Sequence, residues 1–113
     1  MANHTLSVTR TARYSTQGLI SDQTRYCILA CHGYGQLAEH FIKKFDVIAA
    51  DDLFVIAPEG LSRFYWGGLT GDVVASWMTK GGRLDEIKDY CNFLDQLKEQ
   101  YLLSLEVKSL GLR

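Results

Sequence analysis

Hydrophobic and polar positions divide the chain into stretches of distinct period. From Thr5 to Tyr14 they alternate, with Leu6, Val8 and Arg10 on one face and Ser7, Thr9 and Thr11 on the other. Such alternation with β-branched residues predicts a half-exposed strand near a sheet edge. Gln17-Gly18 and Ser21-Asp22 are turn signals. Tyr26 to Cys31 is a short, mostly apolar run bounded by turn residues. It reads as a strand buried on both faces, pairing back on the first strand. Leu37, Phe41, Phe45 and Ile48 fall on one face of a helix over Leu37 to Ala50, with Lys43 and Lys44 away from it. Asp51-Asp52 break that pattern, and Leu53 to Ala57 predicts a second buried strand ended by Pro58. A strand–helix–strand unit of this length implies a parallel, right-handed crossover.

Glu59 to Gly82 shows no sustained period. It holds Gly60, Gly67, Gly68, Gly71, Gly81 and Gly82, with Phe64, Tyr65, Trp66 and Trp77 among them. It reads as a long loop, and long loops in compact domains are often functional. Leu84 to Tyr101 predicts a second helix, with Leu84, Ile87, Cys91, Leu94 and Tyr101 on one face. Asp85 and Glu86 in its first turn suit the helix dipole. Ser104 to Lys108 alternates and reads as the start of a further strand.

The chain has 113 residues, 47% of them hydrophobic, which allows one domain over residues 1–113 with a core of its own. A net charge of −1 argues against nucleic acid or an acidic membrane surface as partner. No apolar stretch is long enough for a membrane span, and Met1 to Thr5 lacks a secretory pattern. Three cysteines, two of them in the presumed buried strand, fit reduced thiols and a cytoplasmic location. His4, His32 and His40 have no metal-ligand spacing and no Cys-x-x-Cys occurs, so neither a metal nor a cofactor is expected.

Candidate chemistry centres on His32-Gly33-Tyr34-Gly35, which follows the first apolar run and opens the first helix. Glycines there turn the chain sharply and expose backbone N–H groups. A strand, a Gly-rich turn and a helix start together suit a negatively charged oxygen. The N–H groups of Tyr34 and Gly35 would then hold the oxyanion of a tetrahedral acyl intermediate. An ordinary strand-to-helix turn that merely needs glycine explains the same residues.

The turn resembles the His-Gly-x-Gly turn of α/β-hydrolases, in particular the phospholipase/carboxylesterase group of small serine esterases. The resemblance continues through Ala57-Pro58-Glu59-Gly60 and Ala75-Ser76-Trp77-Met78, in the family's order, over residues 5 to 101. It implies the N-terminal half of an α/β-hydrolase fold, with a mostly parallel sheet, flanking helices and an antiparallel N-terminal strand. It also implies a carboxylic-ester hydrolase of esterase, lysophospholipase or thioesterase type. The Tyr34 N–H would form half of the oxyanion hole, with Gly35 as a second donor or a turn residue. His32 and Gly33 would be structural, since the family's catalytic histidine lies near the C-terminus, beyond residue 113. Phe64, Tyr65, Trp66, Trp77 and Met78 are candidates for the apolar wall of a substrate pocket, or else for ordinary core. Cys31 and His32 are strand neighbours that point apart, so no thiol–imidazole dyad is expected.

The sequence departs from that family in one chemical respect. No Gly-x-Ser-x-Gly occurs. Gly60-Leu61-Ser62-Arg63-Phe64 ends in Phe where glycine is needed, which leaves Ser62 a loop residue. An oxyanion hole without nucleophile or base cannot start acyl transfer, so the chain alone is expected to be inactive, whether truncated, frame-shifted or natively short. The resemblance also places the third strand between the fourth and a missing fifth. Tyr26 to Cys31 would then be an unpaired edge, and a homodimer or other self-association is expected. Two other readings compete: a non-catalytic interaction module built from half a hydrolase fold, and a phosphate or nucleotide binder at the glycine turn. The second lacks both Gly-x-x-x-x-Gly-Lys and Gly-x-Gly-x-x-Gly.

Overall fold

A computed structural model describes residues 1–69, 71–79 and 81–109, with side chains through Leu102. The organising element is β3 (Leu53–Pro58), apolar throughout and buried from Phe54 onward. It is the middle strand of a three-stranded sheet in the order β1-β3-β2. On one side β1 (Tyr14–Gln17) runs antiparallel to it, with Tyr14 opposite Pro58 and Gln17 opposite Val55. On the other side β2 (Tyr26–Leu29) runs parallel, with Tyr26 opposite Leu53 and Leu29 opposite Ile56.

Because successive β3 side chains point to opposite faces, the strand feeds two cores. Val55 and Ala57 pack with Ala38 and Ile42, flanked by Phe41, Phe45 and Leu53. Phe54 and Ile56 pack with Leu97, flanked by Ile20, Phe93 and Tyr101. The first core lies under α1 (Ala38–Phe41) and the 3₁₀ helix Ile42–Ile48. The second lies under α2 (Arg83–Ser109). The result is a small α/β domain in which helices cover both faces of the central strand. A separate antiparallel hairpin joins β4 (Ser62–Tyr65) to β5 (Val73–Ser76).

Several elements differ from the pattern in the sequence. The first strand is confined to Tyr14–Gln17; residues 5–13 form no strand, and Leu6 and Val8 are exposed. It pairs with β3, not with β2, because β3 offers the buried edge. The two antiparallel ladders outnumber the single parallel one, so the sheets are mixed, not mostly parallel. The strand over Tyr26 to Cys31 is not buried. Tyr26 and Leu29 are exposed, as are Cys27 and Cys31, which are therefore not core cysteines. The helices lie over β3 and leave this edge strand largely open.

The first helix tightens to 3₁₀ after one α-turn, and Ala38 and Ile42 are its buried residues, while Ile48 is exposed. The stretch Glu59 to Gly82 holds the β4–β5 hairpin, not a loop alone, and Ser62 lies in β4. In α2 the inward residues are Phe93, Leu97 and Tyr101; Leu84 and Cys91 are exposed. The helix continues through Ser104 to Lys108, where a strand was expected. That segment also supports helical spacing, and it follows a helix already formed, so extension costs no new nucleus. No helix among the described residues is long and apolar enough to cross a membrane.

Tyr101 fastens α2 to β1. Its hydroxyl donates to the Tyr14 hydroxyl at 3.0 Å, and the two rings meet edge to face at 6.0 Å. Burial, then the Tyr14 hydrogen bond, and then the charges of Tyr14 and Cys27 push the Tyr101 phenol up to about 12. The native state thus holds this proton more tightly than the unfolded chain, whose tyrosines titrate near 10. The stabilisation is intact below pH 10 and is lost as pH rises toward 12. Urea melts across that window are expected to show a steeper alkaline loss for the native chain than for Tyr101→Phe. Parallel curves for the two proteins would show that Tyr101 is not the linked group.

Candidate functional site

The His32-Gly33-Tyr34-Gly35 turn is built around a buried histidine. His32 is 3% exposed. Its Nε2 accepts the Gly60 N–H at 2.9 Å, and its Nδ1 lies 2.7 Å from the Gly33 carbonyl. A carbonyl can only accept and an amide N–H can only donate. The ring is therefore neutral, with its proton on Nδ1, and both nitrogens are occupied. The indole N–H of Trp77 donates to the His32 carbonyl at 2.9 Å, and the two rings stack at 5.1 Å. These contacts join the end of β2 to the exit of β3 and to the end of the hairpin.

The amides of the turn are distributed unevenly. The Gly33 N–H donates to Gln36 Oε1 at 2.7 Å. The Gly35 N–H donates to the Ala75 carbonyl at 3.0 Å, and the Ala75 N–H returns a bond to the Gln36 carbonyl at 3.0 Å. Gly35 is thus a turn and docking residue, with its donor already used. Its φ of 75° lies in the left-handed region, and a Cβ there would sit 2.6 Å from Trp66 Cζ3. Glycine is required both for the backbone and for the ring that lies on it. Among the described residues, no acceptor is found for the Tyr34 N–H.

Glu59 carries the second half of the framework and was missed in the sequence. It is 4% exposed. Its Oε1 accepts the Ala38 N–H at 3.3 Å, which satisfies one of the open amides at the start of α1. Its Oε2 accepts both Nε and Nη2 of Arg63, at 3.0 and 2.8 Å. The paired, hydrogen-bonded arrangement is what allows a carboxylate to sit there. The only signal in the sequence was a Glu four residues before an Arg.

The five residues expected to line one apolar wall separate into two groups. Phe64 and Trp66 gather with the Tyr34 ring, at 5.3 and 6.0 Å from it. Tyr65, the last residue of β4, lies between them in sequence and is exposed. Trp77 stacks on His32 and meets Tyr90 of α2 edge to face. Met78 follows it, its carbonyl accepting from Ser76 Oγ at 2.9 Å. A groove of about 490 Å³ does open beside the turn, between Leu37, His40, Phe41 and Lys44 on one side and Asp72 to Val74 on the other. None of the five predicted wall residues lines it. Among the described residues, no three His, Cys, Asp or Glu side chains gather as a metal site.

Compared against protein families, curated proteins and solved structures, the chain matches none of them.

His32→Phe tests the clamp. The aromatic stack on Trp77 is retained, while the buried Gly60 N–H loses its acceptor. A stability loss of about 1–3 kcal/mol is expected from denaturant melts. A loss below about 0.5 kcal/mol would show that the imidazole does not hold the turn.

Proposed function

We propose that this chain is part of a serine carboxylic-ester hydrolase, of esterase, lysophospholipase or thioesterase type, and that Tyr34 supplies one oxyanion donor. Supporting this reading is the order of a strand, His-Gly-Tyr-Gly, a short helix, a parallel strand and Ala57-Pro58. The observation that carries it is the distribution of amides in the turn. Gly33 and Gly35 have their N–H groups committed, while the one between them has no acceptor among the described residues. An N–H fixed in place before the reaction stabilises a developing oxyanion without reorganisation at the moment of attack.

The roles divide accordingly. Tyr34 N–H would donate to the carbonyl oxygen as it becomes tetrahedral and negative. His32, Gly60 and Glu59 would hold the turn. The 113 residues contain no Gly-x-Ser-x-Gly, so nucleophile and base must come from residues outside them, and the chain alone performs no turnover. Gly35 takes the turn role and not that of a second oxyanion donor, given its bond to Ala75. The groove beside Leu37 and Val73 is a better candidate for the acyl or alcohol group than the dispersed aromatics, because it adjoins Gly35 directly.

The second reading, a non-catalytic interaction module, is favoured by the exposed edge strand β2.

Reading the source DNA past the codon for Arg113 in all three frames separates the two. A Gly-x-Ser-x-Gly within a few tens of codons is expected. The chain extended through it should hydrolyse p-nitrophenyl esters, and Tyr34→Pro, which deletes the N–H, should lower kcat by about 10²–10³-fold. Tyr34→Phe, which keeps the N–H, should retain activity. Absence of the motif in every frame, or full activity in Tyr34→Pro, would overturn the proposal.

A further inference from the structure

The outer edge of β2 has both an open backbone and open side chains. Its inward hydrogen bonds to β3 are made by alternate residues: the Tyr26 N–H donates to Asp52 and the Ala30 N–H to Ile56, both at 2.9 Å. In a parallel ladder the intervening residues direct their N–H and C=O groups the other way. Cys27, Leu29 and Cys31 therefore present backbone donors and acceptors outward, and no strand pairs there among the described residues. Their side chains share the face of Phe54 and Ile56, by register, but α2 does not cover them: Leu29 is 43% exposed, and both cysteines are exposed. Nothing in the strand guards this edge, since β2 contains no lysine, no proline and no acidic residue.

We infer that this edge pairs with the same edge of a second copy, antiparallel, about a two-fold axis through Leu29. The choice of occupant rests on self-complementarity. An isologous contact must match a segment to its own reverse. With Leu29 opposite Leu29 of the second copy, Cys27 falls opposite Cys31 and Ile28 opposite Ala30. Every pair from Cys27 to Cys31 is then apolar, and every outward-facing residue meets another outward-facing one. Centring on Cys27 instead would set Arg25 against Leu29. In the Leu29 register Arg25 falls opposite Gly33 instead, outside the run of apolar pairs. Two three-stranded sheets then merge into one continuous sheet, and the contact closes on itself, so assembly stops at the dimer. This inference concerns the 113 residues by themselves; in the ester-hydrolase reading a strand from outside them would take the same edge.

The three free thiols supply the test, since Cys91 is also exposed and is removed as Cys91→Ser. Hydrogen-bonded antiparallel pairs have Cα atoms about 5.5 Å apart, within reach of a short bis-thiol crosslinker such as dibromobimane. Cys91→Ser protein is expected to give a covalent dimer. Adding either Cys27→Ser or Cys31→Ser is expected to abolish it, because each crosslink needs one of each. Persistent crosslinking with Cys27 or Cys31 alone would overturn the register. Sedimentation is expected to show a monomer–dimer equilibrium over about two decades of concentration. Leu29→Lys, which sets two ammonium groups opposite each other, should shift it to monomer with an unchanged circular dichroism spectrum. If that variant does not fold, the crosslinking pattern decides alone. A wild-type monomer at all concentrations, open-ended aggregates, or an undiminished dimer in folded Leu29→Lys would each overturn the proposal.

Discussion

A single imidazole ties together parts of the chain that lie far apart in sequence. The two ring nitrogens of His32 bridge its own turn and the Gly60 amide, 28 residues away in sequence. Its carbonyl takes the Trp77 indole, 45 residues away. Everything near the turn is arranged to permit this. Gly60 has no room for a side chain, because a Cβ would lie 2.5 Å from the Ser76 carbonyl. The chain leaving β3 is therefore pressed against the end of β5. Glu59, one residue earlier, uses the same close approach to reach the first amide of α1 and the guanidinium of Arg63. The polar groups are buried, but each is matched, and a matched buried network specifies one arrangement more sharply than apolar packing does.

The hairpin is attached to this centre in two ways. Backbone bonds between Gln36 and Ala75 continue its strand onto the turn. The Trp66 ring lies on Gly35, and Phe64 and Tyr34 complete the cluster. The aromatic residues of the glycine-rich stretch are thus partly glue and partly surface. Trp77 serves the interior, while Trp66 remains half exposed beside the free Tyr34 amide.

Much of the central architecture was legible. Leu53 to Ala57 is apolar at every position, and the structure buries it on both faces. The His-Gly-Tyr-Gly turn stands where the pattern put it, between a strand and a helix. What the pattern did not show was what lies over each strand. Tyr26 to Cys31 looks as apolar as β3, but an apolar run records what a strand tolerates, not whether a helix covers it. The β4–β5 hairpin was hidden because the glycines of its link interrupt the alternation of Arg63, Phe64 and Tyr65. On α2, Leu84 and Cys91 fit the helical spacing as well as Phe93 and Leu97 do, and only the position of Phe54 and Ile56 selects between the two faces. The partners of the turn were not readable for a plainer reason. Gly60, Ala75 and Trp77 are far from it in sequence, and no local rule names them.

The strand order β1-β3-β2 also fixes a sequence of events. Both outer strands precede the central one in the chain, and neither is bonded to the other. During synthesis the residues of β1 and β2 leave the ribosome with no partner to pair with, and the sheet can begin only once Pro58 has cleared the exit. Its ladders are then non-local from the start, the feature that slows folding in small domains. The nascent chain therefore carries an unpaired, apolar β2 until β3 has emerged behind it.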